Sequence, residues 1–394
     1  MGMTLYEAAT NIDIAPVRDW KEKGKKVVGY TCSFLPIEVF YAAEILPIRL
    51  RGIGADSMEI GDAYYGPFAC TFPKAVLQFA GSGKYSFLDG VVISNGCDAM
   101  RRLDDCWRKM GKDIDGTLPS WLHYFDVPHK PDGHAFIWYV NQVRKLIAAV
   151  EEQFQVTISD EKLTKTIRQL NRVRKLILDM EQLRANDPVA VSGTEAFSSL
   201  IASTIMPAEN FAELLADLIQ TAKKRDNSVQ KGKQRIFLGG SICDSVELVS
   251  LIEDAGAVVV GENVCFGIRS ENELVNEDEE PIVALTRRYL AGSACPRMFG
   301  WYKTRLKTVA ERIRAANVDG VILQNIRFCD MHGTENGLME RDLEQMGIPC
   351  LRIEKEYGPL TETGRLKMRV SAFIEQLKSK NQKNETATTS KGAE

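Results

Sequence analysis

The sequence predicts an α/β protein made of two similar units with parallel sheets, joined by a helical segment. Residues 88–94 and 318–323 are almost continuous apolar runs that begin with nearly the same letters, Leu-Asp-Gly-Val-Val-Ile and Val-Asp-Gly-Val-Ile-Leu. Such runs are typical of strands that are covered on both faces of a parallel sheet. A Cys-Asp pair follows each run, at residues 97–98 and 329–330. Because ligands bind at the carboxyl ends of such strands, these thiols are candidate site residues.

The first unit is expected to cover residues 1–133. Its predicted strands are residues 26–30, 47–51, 88–94 and 121–127, and its main predicted helices are residues 37–44 and 99–110, with a further one starting at Pro73. We expect residues 61–67 to form an irregular loop that ends at Cys70. Cys70 then lies just before a helix N-terminus, where the helix dipole favours a thiolate.

A helical layer is expected over residues 134–232, since apolar residues recur there at helical spacing. The second unit, residues 233–379, has predicted strands at 235–241, 257–261, 318–323 and 350–354 and predicted helices at 244–254, 281–290, 302–316, 338–345 and 364–377. Residues 380–394 are polar and low in complexity, which predicts a disordered tail.

Composition narrows the function classes. The chain has 394 residues, 44% of them hydrophobic, and a net charge of −3 with both signs interspersed, so nothing indicates a nucleic-acid or membrane surface. No apolar run approaches the roughly 18 residues of a spanning helix. The first 20 residues lack the layout of a secretion signal, so a cytoplasmic protein is expected. Nine cysteines in that compartment indicate thiols or metal ligands rather than disulfides.

Several common motifs are absent from the sequence. It contains no P-loop, no Cys-x-x-Cys and no Gly-x-Ser-x-Gly. The turn at residues 239–241 could bind a phosphate, but it lacks the G-x-G-x-x-G spacing, and we favour a tight turn that lets the following helix pack. What remains is a set of cysteines far apart in sequence. Three thiolates from separate loops can hold three irons of a cubane cluster, while ordinary buried cysteines are the alternative interpretation.

Blocks along most of the chain resemble the 2-hydroxyacyl-CoA dehydratase and benzoyl-CoA reductase family. They include Gly-Tyr-Thr-Cys-Ser-Phe-Leu-Pro near the start, Cys-Asp-Ala-Met-Arg-Arg in the middle and Phe-Cys-Asp near the end. They lie, in order, at residues 29–38, 42–49, 97–102, 318–322, 328–330, 347–351, 356–358 and 364–373.

This resemblance implies paired homologous subunits, each with two Rossmann- or flavodoxin-like domains. It further implies a [4Fe-4S] cluster held by three cysteines beside a CoA-thioester site, and a separate ATP-hydrolysing iron–sulfur activator that delivers single electrons. By motif position, the ligands carry over onto Cys70, Cys97 and Cys329.

The remaining cysteines fit a second pattern in part. A relative of this family binds a double-cubane cluster through additional cysteines, and Cys265 and Cys295 match two of its landmarks, whereas Tyr85 stands where another cysteine would be expected. A single cubane is therefore favoured. We expect the other four cysteines to be structural, two of them (Cys32 and Cys243) near the cluster; the other two are Cys106 and Cys350.

Other candidate site residues surround these cysteines. Helix N-capping is the favoured role of Asp98 and Asp330. His332 and Glu335 follow Cys329 closely and could deliver a proton, although a backbone-bound loop histidine is equally compatible with the sequence. Two arginines, Arg269 and Arg297, could meet CoA phosphates, but surface salt bridges are the favoured interpretation.

Between ring reduction and dehydration, the sequence favours a benzoyl-CoA reductase-like subunit slightly. Tyr64-Tyr65, residues 123–128 and residues 355–358 look closer to that branch. The alternatives are an (R)-2-hydroxyacyl-CoA dehydratase subunit that eliminates water through a ketyl radical, an electron-relay or double-cubane protein without its own substrate, and a redox-inert scaffold.

Overall fold

The protein contains two four-stranded parallel sheets within the residues that the structure describes. The structure is a computed structural model and describes residues 3–114, 116–226, 231–292, 295–360 and 363–391, with side chains up to Gln382. The first sheet consists of β1 (Val27–Tyr30), β2 (Leu46–Arg49), β3 (Gly90–Ser94) and β4 (Trp121–Phe125). The second consists of β5 (Gln234–Gly240), β6 (Ala257–Asn263), β7 (Gly320–Ile326) and β8 (Cys350–Lys355).

Both sheets have the same topology. Their strand orders are β2-β1-β3-β4 and β6-β5-β7-β8, so the first strand of each unit lies between the second and the third. Strands β1, β3, β5 and β6 are almost completely buried, as the apolar runs in the sequence predict. The predicted fold class, two Rossmann- or flavodoxin-like parallel α/β units, is confirmed.

The helices fall into three groups. Those of the first unit are α1 (Leu5–Thr10), α2 (Ala15–Glu22), α3 (Glu38–Ala42), α4 (Glu59–Tyr64), α5 (Thr71–Gly81) and α6 (Asp98–Asp113). The helical segment contains α7 (Gly133–Phe154), α8 (Asp160–Ala185), α9 (Gly193–Ala202) and α10 (Ala208–Ala222). The second unit has α11 (Val246–Asp254), α12 (Pro281–Thr286) with a π-helical turn (Arg287–Ala291), α13 (Tyr302–Ala315), α14 (Asp330–Gln345) and α15 (Thr363–Lys391).

The helical segment is packed against both units. Phe197 and Leu200 of α9 belong to the same buried cluster as Leu77 of α5 and Val249 of α11. Gly193, at the start of α9, allows a close approach to β6, because a Cβ there would lie 2.6 Å from the Val259 Cβ. The boundaries at residues 133 and 232 remain a prediction, since a common core joins the three segments.

Two buried ion pairs connect α8 to its neighbours. Arg174 Nη2 lies 2.7 Å from a carboxylate oxygen of Glu38 in α3, and the Tyr289 hydroxyl donates to the other oxygen at 2.8 Å. Arg184 is ion-paired with Glu262 of β6. Since an unpaired buried charge is costly, these pairs specify how α8 docks onto each unit.

Two local predictions were wrong. The loop expected to be irregular, residues 61–67, is helical up to Tyr64, where α4 ends, and Gly61 is needed there because a Cβ would lie 2.5 Å from the Lys74 carbonyl oxygen. Helix α14 begins at Asp330 rather than near residue 338. Gly333 and Gly337 weaken its helix signal, but four buried residues at helical spacing hold it against the sheet: His332, Asn336, Met339 and Leu343. The structure describes α15 as helical up to Lys391, and the disordered tail expected over residues 380–394 remains a prediction.

No described helix combines the length and the apolar composition that crossing a membrane requires.

Candidate functional site

Cysteines lie at the switch point of each sheet. The crevice of an open α/β sheet forms where neighbouring strands send their chains in opposite directions, here between β1 and β3 and between β5 and β7. Cys32 and Cys97 follow β1 and β3, and Cys243 and Cys329 follow β5 and β7. The chain therefore places a pair of thiols at the ligand-binding edge of both sheets.

The three predicted ligands occupy equivalent helix positions. Cys70, Cys97 and Cys329 are the N-cap residues of α5, α6 and α14. The predicted place of Cys70 before a helix N-terminus is confirmed. Backbone N–H groups of Phe72, Met100 and His332 favour the ionised sulfurs of the three cysteines.

Burial nevertheless opposes ionisation of these thiols. It raises the pKa of Cys70 well above its usual value, and the neighbouring Cys329 and Cys97 raise it further. Burial also raises the pKa of Cys97 to about 12, and that of Cys329 rises for the same reason. The predicted thiolate at Cys70 is thus not favoured by the helix end alone. The three thiols are electrostatic neighbours, because Cys97 and Cys329 raise the pKa of Cys70 and Cys329 also raises that of Cys97.

Single-ion binding is not what this arrangement offers. Among the described residues, no three His, Cys, Asp or Glu side chains are grouped closely enough to hold one metal ion. A cubane cluster makes a different demand from a single ion, because each thiolate binds a different iron of the cluster. The three sulfurs therefore need only surround the cluster and do not have to converge on one point. The donor set of three soft thiols fits such a cluster.

A cleft of about 420 Å³ opens beside Cys70. Aromatic residues form part of its wall, and the remaining lining comes from the loop before α5, from α6 and from the start of α14. The aromatic lining residues are Tyr64, Tyr65, Phe68 and Phe328, and the polar ones include Asp98, Arg102, Cys106 and Asp330. The cleft lies between the two α/β units, since Phe328 and Asp330 come from the second.

The structure corrects the predicted N-caps. Cysteines occupy the N-cap positions, and Asp98 and Asp330 are the first residues of their helices. Asp98 is largely exposed and accepts a hydrogen bond from Arg102 Nε at 3.0 Å. Carboxylates in a first helical turn interact favourably with the helix dipole, so both aspartates still have a structural explanation.

Arg297 is buried, contrary to the predicted surface salt bridge. Its guanidinium donates to the carbonyl oxygens of Val127 and Pro128 at 2.8 Å, Gly96 at 3.1 Å and Asn95 at 3.3 Å. It also lies over the Phe34 ring. The second unit thereby holds the loop that leads to Cys97. Arg269 is buried as well, so the predicted surface location is wrong for both arginines.

A second group of cysteines lies around Arg49, which the sequence did not single out. Its Nη2 is 2.7 Å from the Cys265 sulfur, and its Nη1 donates to the Cys265 carbonyl oxygen at 2.6 Å. Burial raises the pKa of Cys265, but the charges of Arg49 and Arg269 outweigh burial and lower it overall. The pKa of nearby Cys32 rises to about 11 because of burial and the charge of Cys265.

The two predicted proton donors lie behind Cys329. His332 and Glu335 line the same small buried cavity in the second unit. Burial and the charge of Arg269 hold the pKa of His332 well below its usual value, so the imidazole is neutral. Glu335 forms an ion pair with Arg305, whose Nε donates to its Oε1 at 2.8 Å. Their roles in proton delivery remain a prediction.

Tyr357 is a second residue that sequence reasoning missed. Its hydroxyl donates to Asp244 at 2.7 Å and accepts from the Gly52 N–H at 3.1 Å. Its ring packs edge-on against Phe72, with 5.0 Å between centroids. Only the block at residues 356–358 marked this position, and nothing in the pattern indicated that it joins the two units.

The fold and these thiols define a class: an α/β protein with two parallel sheets and cysteines at the carboxyl ends of the central strands of each sheet. Residues 32–377 match the family described as 2-hydroxyglutaryl-CoA dehydratase, D-component, and the chain belongs to this family. The predicted family resemblance is confirmed.

Relatives cover nearly the whole chain. One of the benzoyl-CoA reductase subunits of Thauera aromatica is 28% identical over 88% of this chain and 89% of its own length. The (R)-phenyllactyl-CoA dehydratase beta subunit of Clostridium sporogenes is 24% identical over 86% of this chain and 89% of its own length. The lactoyl-CoA dehydratase beta subunit of Anaerotignum propionicum is 22% identical over 91% of this chain and 94% of its own length. All three are named as subunits of CoA-thioester enzymes, which supports an enzyme subunit with a partner chain.

Proposed function

We propose that this chain is the iron–sulfur subunit of an ATP-dependent, radical-type CoA-thioester enzyme, and that it is benzoyl-CoA reductase-like. The observation that supports the proposal is that Cys70, Cys97 and Cys329 are N-cap residues whose thiols are close enough to influence one another electrostatically, with Cys70 on the wall of the cleft between the two units. The family gives this arrangement its chemical context.

A [4Fe-4S] cluster is the proposed cofactor, held by these three thiolates. When bound, it would supply single electrons of low potential to the thioester or to a ring conjugated with it. The chain's own contribution is to bury the sulfurs, to direct backbone N–H groups at them and to exclude water from the crevice. Buried surroundings and N–H contacts to sulfur are established determinants of cluster potential.

The proposed substrate is an aromatic acyl-CoA that undergoes one-electron reduction. The four aromatic side chains on the wall of the cleft favour a flat acyl group, because ring–ring contacts stabilise aromatic ligands. The similarity to the Thauera aromatica protein points the same way. The alternative, elimination of water from an (R)-2-hydroxyacyl-CoA, is supported by the two dehydratase relatives.

A relay or double-cubane protein is the further alternative. It would use Cys265 and Cys295 in addition to the three ligands. In the structure Arg49 already binds the Cys265 sulfur, so this thiol would have to leave a buried guanidinium before it could bind iron. This contact favours the single cubane.

The proposed partners are a homologous second subunit, which completes a heterodimer, and an ATP-hydrolysing iron–sulfur activator. A cytoplasmic location is proposed because all nine cysteines are free thiols, which suits a reducing compartment.

Anaerobic purification together with the partner chain tests the proposal. We expect about four irons and four sulfides per chain with the corresponding EPR signal, and loss of both in Cys70→Ser, Cys97→Ser and Cys329→Ser variants. Cys350→Ser is the matched control, since Cys350 begins β8 at the opposite end from the cleft. A colourless wild-type protein under these conditions would contradict the proposal. Turnover of benzoyl-CoA or of a 2-hydroxyacyl-CoA with the activator then distinguishes the two chemistries.

A further inference from the structure

Two exposed aromatic side chains meet above the cleft. Phe68 is 80% exposed and Phe328 is 40% exposed, yet their rings form an edge-to-face pair with centroids 5.7 Å apart and planes at 82°. Phe68 lies two residues before Cys70, and Phe328 directly precedes Cys329. The pair therefore joins the two cysteine-bearing loops, which belong to different units.

A second contact, on the other side of Cys70, joins the first unit to the loop that follows β8. Thr71, which follows Cys70, donates its hydroxyl to Glu356 Oε2 at 3.1 Å and accepts from the Tyr357 N–H at 2.9 Å. Glu356 lies 3.9 Å from Arg327, and the Arg327 guanidinium lies over the Phe328 ring at 5.7 Å. These contacts link Thr71 through Glu356, Arg327 and Phe328 to Phe68, so they pass from the first unit to the second and back.

The backbone at Phe328 carries an additional sign of constraint. Its φ of 61° lies in the left-handed region, where a bulky side chain is an outlier. Such strain persists only when the surrounding structure imposes it, and it is concentrated at functional sites. Here this conformation lies between the end of β7 and the N-cap Cys329, at the point where the Phe328 ring meets the first unit.

We propose that Phe68, Phe328, Thr71 and Glu356 form an interdomain clasp that fixes the separation of the Cys70 and Cys329 sulfurs. Its contacts flank Cys70 on both sides and reach the residues around Cys329. These are positioning residues: they act through the two cysteines. The inference rests on the proposed function in one respect, namely that these two cysteines share a cluster.

Alkylation of the cluster-free protein tests the clasp directly. We expect iodoacetamide to modify Cys70 and Cys329 about three- to tenfold faster in Phe68→Leu and Phe328→Leu, the range that loss of one aromatic pair corresponds to. Combining Thr71→Val with Phe68→Leu should increase the alkylation rate beyond that of Phe68→Leu alone. Phe68→Tyr and Thr71→Ser, which keep the ring and the hydroxyl, should restore the wild-type rate. Peptide mass spectrometry reads each cysteine separately.

The controls separate the clasp from general loosening. Phe299→Leu removes another exposed ring (71% exposed) that takes no part in the clasp, and it should leave both rates unchanged. Cys350 is the internal reference, since its rate should stay constant in every folded variant. Wild-type rates at Cys70 and Cys329 in both leucine variants would overturn the proposal, and so would an equal acceleration in Phe299→Leu or a parallel rise at Cys350.

A second measurement connects the clasp to the cluster. After anaerobic reconstitution with iron and sulfide, Phe68→Leu and Phe328→Leu should release iron to a chelator about three- to tenfold faster than wild type. If wild-type protein takes up no iron, the proposed function fails while the alkylation rates still report on the clasp. If iron is held but released equally fast from all variants, the clasp fails and the proposed function stands.

Discussion

Replacing Arg297 by methionine is expected to loosen the loop that carries Cys97. The Arg297 guanidinium comes from the second unit and donates to four carbonyl oxygens in the loops that follow β3 and β4. Two of those carbonyls, on Asn95 and Gly96, directly precede Cys97. Methionine keeps the apolar stem of the side chain and removes every donor.

The magnitude follows from the geometry. Two of the contacts are short, at 2.8 Å, and two are longer, at 3.1 and 3.3 Å, so the short pair should dominate. Hydrogen bonds to a charged group contribute about 1.5–3 kcal/mol each. Methionine also removes the cost of burying the charge, which offsets part of the loss. We therefore expect a net destabilisation of about 2–3 kcal/mol.

Urea unfolding of the cluster-free protein, followed by tryptophan fluorescence, measures this change. Arg287→Met is the matched control, because Arg287 is largely exposed and pairs with Glu279 at the surface, where an ion pair contributes about 0–1 kcal/mol. Arg297→Lys should be intermediate, since an ammonium cannot reproduce the planar fork of donors. Hydrogen exchange at residues 95–97 should quicken in Arg297→Met. An unfolding midpoint equal to that of Arg287→Met, with unchanged exchange in the loop, would refute the reasoning.

Three further predictions concern contacts that join the two units or join a unit to the helical segment. Glu38→Gln should destabilise the protein by about 3 kcal/mol in urea, the low end for breaking a buried pair, because the buried Arg174 then keeps only Glu271, at 3.3 Å, as a carboxylate partner. Although burial opposes ionisation of Glu38, the charges of Arg174 and Arg288 lower its folded-state pKa. The stabilisation by Glu38 is therefore present above the unfolded-state pKa of about 4.3 and is lost as the pH falls through the folded-state pKa. Glu38→Gln should lack this acid-induced loss of stability, and an acid-unfolding curve identical to that of the wild type would contradict the prediction. Tyr357→Phe should cost about 1–3 kcal/mol through two lost hydrogen bonds, with Tyr6→Phe, an exposed tyrosine, unchanged as its control. Arg49→Met should move the pH profile of Cys265 alkylation upward by roughly one to two units, since the nearest stabilising charge is removed, and an unmoved profile would show that Arg49 does not hold the thiolate.

The repetition of sheet topology explains how much of the site could be predicted. Two apolar strands, each followed by a Cys-Asp pair and a helix, are a local pattern, and a parallel sheet always brings its carboxyl strand ends to one edge. Cys97 and Cys329 could therefore be placed from the sequence alone. Cys70 could be placed before a helix, but its proximity to Cys329 depends on how the two units meet.

Helix boundaries failed where glycine was involved. Glycine reduces helix propensity. The sequence therefore indicated a loop around Gly61 and no helix around Gly333 and Gly337. The structure shows that Gly61 permits α4 to touch α5, and that buried residues on one face hold α14 against its sheet. Helix propensity depends on the segment alone, whereas the packing that stabilises α4 and α14 depends on the surfaces against which they lie.

The sequence by itself determined the two parallel α/β units, the strands that end at cysteines and the family to which the chain belongs, because these depend on periodicity and on local motifs. Only the tertiary structure decided that Arg297 and Arg269 are buried, that Arg49 holds Cys265 and that Phe68 meets Phe328. Each of these contacts joins residues far apart in the chain, and arginine and phenylalanine side chains can also lie exposed on a surface. Whether it is buried depends on what the other unit presents to it, and no local pattern records that.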